Sequence, residues 1–133
     1  MTHEFGLRVY YEDTDLAGIV YYANYLKFIE RARSEMIAAL DIDQMAVKAA
    51  EGIVFAVRRV EADYLLPARF GEDLTVETRV LEVTGARFRL AQDVLRGADR
   101  LFASEVTLVC LTETGRPARI PADIRRKVTA ALG

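Results

Sequence analysis

Histidine and cysteine each occur once in the 133 residues, as His3 and Cys110, and tryptophan is missing. One cysteine and one histidine cannot assemble a four-cysteine, mixed cysteine-histidine or three-histidine zinc site, and one cysteine cannot close an internal disulfide. A Ser-His-Asp or Cys-His device would have to draw on His3, which the sequence places at a frayed terminus. No metal site and no cofactor is expected. Any catalysis falls to carboxylates, hydroxyls and the backbone.

Charge of one sign is also lacking. The 18 Lys+Arg and 20 Asp+Glu leave a net charge of -2, without the positive excess that neutralising many phosphates demands, so no nucleic-acid partner is expected. Arginine outnumbers lysine 15 to 3, which suits bidentate phosphate contacts but reads first as background composition. No apolar run approaches the ~18 residues of a membrane span. The first six residues lack a cationic region followed by an apolar stretch, so no secretory signal is expected. A lone thiol suits a reducing compartment and a cytoplasmic setting. The three prolines, Pro67, Pro117 and Pro121, stand outside the periodic segments, and no repeat or linker divides the chain. Residues 1–133 therefore read as a single domain.

The patterning that is present has two periods. Leu7, Val9 and Tyr11 alternate with Arg8, Tyr10 and Glu12, as in a half-buried strand ending near Asp13. Over residues 22–40 the period lengthens, and Tyr25, Ile29, Ala32, Met36 and Leu40 form one helical stripe. Arg33 falls inside that stripe; either its stem packs while its head snorkels or pairs with Glu30, or it serves a ligand. Strand chemistry follows over 53–66, 74–83, 87–95 and 101–111, with short Pro- and Gly-containing turns that demand antiparallel neighbours. In the first of these, Val54, Ala56, Val60, Ala62, Tyr64 and Leu66 make an apolar face that Arg58 alone interrupts. Residues 121–132 suit a short C-terminal helix with Pro121 in its first turn. The order implies an α+β fold in which one long helix covers one face of a five-stranded antiparallel sheet. The other face or the edges then need a partner, so a homo-oligomer is expected.

Chemistry concentrates between the first strand and the helix, in Glu12-Asp13-Thr14-Asp15-Leu16-Ala17-Gly18-Ile19-Val20-Tyr21-Tyr22. An acidic cluster is ordinarily a solvated turn. Here the apolar residues that follow without a polar break are expected to fold the loop inward and carry Asp15 toward a partly apolar setting, where an acid needs partners or a purpose. A helix beginning near Tyr22 would present free backbone N–H groups and the positive end of its dipole. A carboxylate facing such donors is the arrangement acyl transfer requires. The apolar lining is expected near Ile19, Val20 and the strand that starts at Ile53.

The run VYYEDTDLAGIVYYANYLKFIERARSE closely resembles the opening of the YbgC-type acyl-CoA thioesterases, relatives of the 4-hydroxybenzoyl-CoA thioesterases with the hotdog fold. AVRRVEADYLLPARFGEDL and SEVTLVCL resemble the same family's sheet, so the likeness covers nearly the whole chain. It implies a sheet wrapped around a central helix, dimers joined edge to edge with active sites at their interface, often tetramers, and hydrolysis of acyl-CoA thioesters. The family's essential aspartate falls on Asp15, its thioester-polarising amide on Tyr22, and its tyrosine four residues before the aspartate on Tyr11. Tyr11 and Asp15 share a side if the strand geometry continues; packing in the core is an equal reading of Tyr11. Gly18, Arg58 and Arg87 are the candidate substrate-binding residues, Arg87 lying where related enzymes place basic residues for CoA phosphates. Many members carry histidine where this chain has Tyr22, so imidazole chemistry is absent there while a backbone N–H survives. The resemblance leaves two other readings: a hotdog dehydratase, and a docking module for acyl-carrier, phospholipid-synthesis or Tol-Pal-associated proteins.

Overall fold

The computed structural model describes residues 1–133. Strand pairing begins earlier than the alternation predicts. β1 (Thr2–Arg8) takes in the N-terminal residues, and His3 is held opposite Thr78 on β3 (Asp73–Val83) instead of fraying. The strand ends at Arg8, and Tyr11–Asp13 is a single 3-10 turn where the alternation predicts extended chain. The elements that follow are α1 (Asn24–Ala39), α2 (Gln44–Glu51), β2 (Ile53–Tyr64), β3, β4 (Arg87–Arg96), β5 (Asp99–Thr112), β6 (Pro117–Ala118) and α3 (Ala122–Thr129).

The sheet is antiparallel, with order β1-β3-β4-β5-β2. β3, β4 and β5 are neighbours as their turns demand, but β2 pairs with β5 and not with β3, so the connection over residues 65–72 crosses the sheet instead of closing the expected hairpin. A sixth strand is added by β6, which pairs Cys110 with Ala118 and Leu111 with Pro117 beyond the end of β4. Helix α2 is also additional to the sequence reading. It is short, but both ends are capped: the Asp43 carboxylate accepts from the N–H groups of Met45 and Ala46, and Gly52 closes it at φ 65° in the left-handed region.

The hydrophobic effect explains why α1 lies where it does. The predicted stripe residues Tyr25, Ile29, Ala32 and Met36 are buried, joined by Phe28 and Ile37, against Val76, Val80, Leu90, Val94, Phe102 and Val106 of the sheet. Arg33 neither snorkels to water nor pairs with a carboxylate. It is buried and donates from Nη1 to Gln92 Oε1 at 3.0 Å, while Gln92 Nε2 donates to Ile29 O and Thr78 Oγ1. Burial lowers the Arg33 pKa, with the Glu30 charge opposing that shift.

One irregularity corrects the predicted face of β2. The register with β5 slips between Val57 and Arg59, leaving Arg58 as the extra residue of a bulge. Before the bulge the residues opposite buried β5 positions are Phe55 and Val57; after it they are Val60, Ala62 and Tyr64. The even-numbered face read from the sequence therefore holds only on the far side of Arg58. The outer edge of β2 has no strand beside it, and Val54, Val57, Val60 and Tyr64 are exposed there. Cys110, on the inner face of β5, is 1% exposed, and burial pushes its thiol up to about 11. At pH 8 only ~0.1% of such a thiol is thiolate. Native protein is therefore expected to leave a chromogenic disulfide reagent uncoloured and to release one thiol equivalent on denaturation; rapid reaction of the folded chain would contradict this burial.

Candidate active site

The loop that carries Asp15 is a small hairpin. Thr14 and Val20 form an antiparallel bridge, Asp15 N–H donates to Ile19 O, and Gly18 N–H donates to Asp15 O, each at 3.0 Å. Gly18 closes the turn at φ 76°, where a side chain would be strained. Asp15 Oδ1 accepts from Ala17 N–H at 2.9 Å, which fixes the carboxylate locally and leaves its other oxygen without a partner. The loop does not fold inward as its apolar content predicts. The tip of a tight hairpin has no backbone partners to draw it into the core, so Asp15 is exposed and Leu16 fully so.

What the loop does instead is wall one side of a cavity of about 270 Å³. Asp15, Ile19, Val20, Tyr21, Tyr22, Tyr25, Tyr64, Leu65, Leu66 and Pro67 line it. Asp15 and Tyr22, seven residues apart, thus face the same space. Ile53 is not part of it; with Phe55, Met45 and Cys110 it lines a separate cavity of about 230 Å³ under α2.

The entry to α1 supplies the donors. The helix starts at Asn24, two residues later than expected, and Ala23 at the N-cap offers no side-chain oxygen to the first turn. Tyr21 N–H goes to Asp13 O at 2.9 Å and Asn24 N–H to Tyr21 O at 2.8 Å, whereas the N–H groups of Tyr22 and Ala23 have no intramolecular acceptor. The Asn24 side chain also donates to Asp13 O at 2.9 Å, tying the helix start to the acidic turn. Asp13 is thereby structural: its carbonyl holds two donors and its carboxylate accepts from Tyr10 N–H at 2.8 Å.

Tyr64 was legible in the sequence only as one apolar position of β2. Its hydroxyl donates to Tyr22 O at 3.0 Å, and its ring meets Tyr22, Tyr25 and Phe102 edge-on at 6.0, 5.5 and 5.1 Å between centroids. Tyr25 stacks on Phe102 and its hydroxyl accepts from Ala68 N–H, making a rigid floor.

The other candidates lie elsewhere. Tyr11 is neither on a strand with Asp15 nor in the core: it is 81% exposed, edge-on to Phe70, and outside the cavity lining. Arg58 lines a groove of about 570 Å³ with Ala56, Val57, Gly85 and Arg119. A β-carbon built on Gly85 would stand 2.5 Å from an Arg119 guanidinium nitrogen and 3.5 Å from one of Arg125. Arg58, Arg119 and Arg125 have no carboxylate partner. Arg87 is outside that lining and donates from Nε to Glu82 Oε1 at 2.9 Å. His3 sits on β1, the sheet edge opposite β2. No group of histidine, cysteine and carboxylate side chains in the chain is arranged to hold a metal ion, and no helix is long and apolar enough to cross a membrane.

Comparison with known proteins shows the family. Residues 9–128 match the model of the thioesterase-like superfamily. An acyl-CoA thioesterase YbgC of Haemophilus influenzae is 37% identical over 123 residues, 91% of this chain and 90% of that protein. The acyl-CoA thioester hydrolase YbgC of Escherichia coli is 36% identical over 120 residues, 89% of each chain. Among solved structures, a probable thioesterase from Bartonella henselae superposes with a TM-score of 0.87 at 37% identity, over 91% of this chain and 100% of that one.

Proposed function

We propose that this chain, which belongs to the thioesterase-like superfamily and within it to the YbgC acyl-CoA thioesterases, hydrolyses acyl-CoA thioesters in the cavity shared by Asp15 and Tyr22. The observation that carries this reading is that Asp15, with a half-free carboxylate, and Tyr22, with an unengaged N–H, line one apolar space. The thioester carbonyl oxygen sits at the Tyr22 N–H, which strengthens its hold as the oxygen gains charge; a donor of this kind is worth roughly 10²- to 10³-fold in rate. Asp15 either attacks the carbonyl carbon, expelling CoA thiolate, which solvent protonates, and leaving an acyl-enzyme anhydride that water hydrolyses to the free acid; or it takes a proton from an attacking water and returns it to the CoA sulfur as the C–S bond breaks. Tyr11, outside the cavity, contacts no reacting atom in this scheme. Gly18 contributes through its turn.

The apolar lining of Ile19, Val20, Leu65 and Leu66 favours short aliphatic or aromatic acyl groups. Dehydration has no histidine to draw on there, since His3 lies on the far edge. A free thiol at Cys110 suits a reducing, cytoplasmic setting.

We place a second copy of the chain along the outer edge of β2. Tyr64 at the cavity and Arg58 at the basic groove are six residues apart on that strand, about 20 Å at strand rise. An antiparallel pairing of two β2 edges therefore carries the groove of one subunit toward the Asp15 cavity of the other, where Arg58 and Arg119 can take the CoA phosphates. Arg58→Gln combined with Arg119→Gln is expected to raise KM for an acyl-CoA about tenfold and to leave KM for the matching acyl-pantetheine, which lacks the nucleotide, unchanged. Equal effects on both substrates would refute the assignment. The core reading is tested by incubating the protein with acyl-CoAs and measuring free CoA: release supports hydrolysis, and its absence across all acyl groups opposes it.

A further inference from the structure

The Tyr64 hydroxyl is the only side-chain group that hydrogen-bonds to the backbone of the turn bearing the free amides. The Tyr22 carbonyl and the Ala23 N–H belong to one rigid peptide plane. Helix α1 does not fix that plane, because Leu26 N–H goes to Ala23 O at 3.2 Å and leaves Tyr22 O outside the helical ladder. Tyr64 fills the vacancy at 3.0 Å. A donor on the carbonyl also polarises the N–H of the same peptide. The phenol is itself held firmly: β2 pairs Tyr64 with the fully buried Phe102, and Tyr22 and Tyr25 pack on its ring. Burial and the neighbouring Tyr22 raise the Tyr64 pKa, so the hydroxyl keeps its proton at neutral pH.

We infer that the Tyr64 hydroxyl is a positioning group for thioester hydrolysis: it locks the Tyr22–Ala23 peptide on one side of residue 22, while Asn24 N–H holds Tyr21 O of the peptide that carries the Tyr22 N–H, so that residue 22 cannot swing that N–H away from the thioester oxygen. The inference rests on the function proposed above. It assigns Tyr64 no contact with reacting atoms; the ring supports the pocket and the hydroxyl acts through Tyr22.

Tyr64→Phe removes the hydroxyl and keeps the ring cluster, so the variant is expected to fold with an unchanged melting profile. Its kcat with a short acyl-CoA should fall about tenfold, as small misplacements of a reacting geometry do, with KM changed by less than about twofold. The carbonyl carbon resonance of Tyr22 and the amide proton of Ala23 should shift relative to wild type, whereas in Asp15→Asn the Tyr22 carbonyl resonance stays at its wild-type position. Wild-type kcat in Tyr64→Phe, or an unmoved Tyr22 resonance, would overturn the inference while leaving hydrolysis at Asp15 standing. An inactive wild-type protein would instead remove the functional reading, and the role of Tyr64 with it. Should Tyr64→Phe fail to fold, Tyr64→Trp, which keeps an aromatic ring but brings no donor to the same point, gives the same kcat comparison.

Discussion

Replacing Asp15 by asparagine is expected to lower kcat for acyl-CoA hydrolysis by about 10³-fold or more, equivalent to about 4 kcal/mol of transition-state stabilisation, in a protein that folds normally. The fold should survive because Asp15 is exposed and its side chain makes one contact, accepting from Ala17 N–H at 2.9 Å, which an asparagine oxygen can also accept. What disappears is the negative charge and the basic or nucleophilic oxygen on that wall of the cavity. Asp13→Asn is the control. Its carbonyl, which holds Tyr21 N–H and the Asn24 side chain, is untouched, and an amide oxygen still serves Tyr10 N–H. Its kcat should stay within about threefold of wild type by the same reasoning on single exposed hydrogen bonds. Equal losses in the two variants would assign the effect to the acidic turn as a whole and not to Asp15.

The largest expected effect on stability lies in the core between α1 and the sheet. Gln92 is fully buried and serves Arg33, Ile29 and Thr78 through its amide, while its own carbonyl accepts from Ser104 Oγ at 2.7 Å. Gln92→Leu leaves a buried guanidinium without its acceptor. We expect a loss of about 3 kcal/mol in urea unfolding, in the range found when one partner of a buried charged group is removed. Adding Arg33→Met takes the orphaned charge away, and the double variant should recover at least about half of the loss, because replacing both partners by apolar groups costs far less than stranding one. A Gln92→Leu protein within 1 kcal/mol of wild type would mean that Arg33 reaches water from its buried position.

The sequence carried most of the architecture because periodicity reports burial directly. Tyr25, Ile29, Ala32 and Met36 could face only one partner, and the short turns left β3, β4 and β5 no arrangement except antiparallel neighbours. The bulge at Arg58 was harder to read. A one-residue slip reverses which side chains face inward, so the even-numbered pattern that seemed continuous through Arg58 belongs to two opposite faces joined there. Arg58 standing alone in an apolar face was the trace the bulge left. Helix α2 was announced by Asp43 and Gly52 at its two ends, but eight residues are too few for a periodic stripe to stand out.

For the site, the spacing of seven residues put Asp15 near the helix start, and Asp15 and Tyr22 line one cavity across a hairpin loop of five residues and a helix that starts late. The position of Tyr11 depended on extended backbone continuing past Arg8, and a 3-10 turn removed that condition. Tyr64 is 42 residues from Tyr22 in the chain, so its contact depends on the β2–β5 pairing and on the packing of α1, neither of which a local pattern encodes. The meeting of Gly85 in the β3–β4 turn with the unpaired guanidiniums of Arg119 and Arg125 from the C-terminal segment is hidden from a local pattern for the same reason.

The most direct test of the account is a count of thiols. Cys110 is buried and burial pushes its thiol up to about 11, so a thiol reagent added to protein and acyl-CoA is expected to read free CoA alone. With acyl-CoAs of graded length and one aromatic example, at least one short or aromatic substrate should yield one CoA thiol and one free acid per turnover, and Asp15→Asn should yield neither above the uncatalysed rate. A protein that binds these acyl-CoAs and releases no thiol from any of them, or an Asp15→Asn variant that releases it at the wild-type rate, would contradict the account.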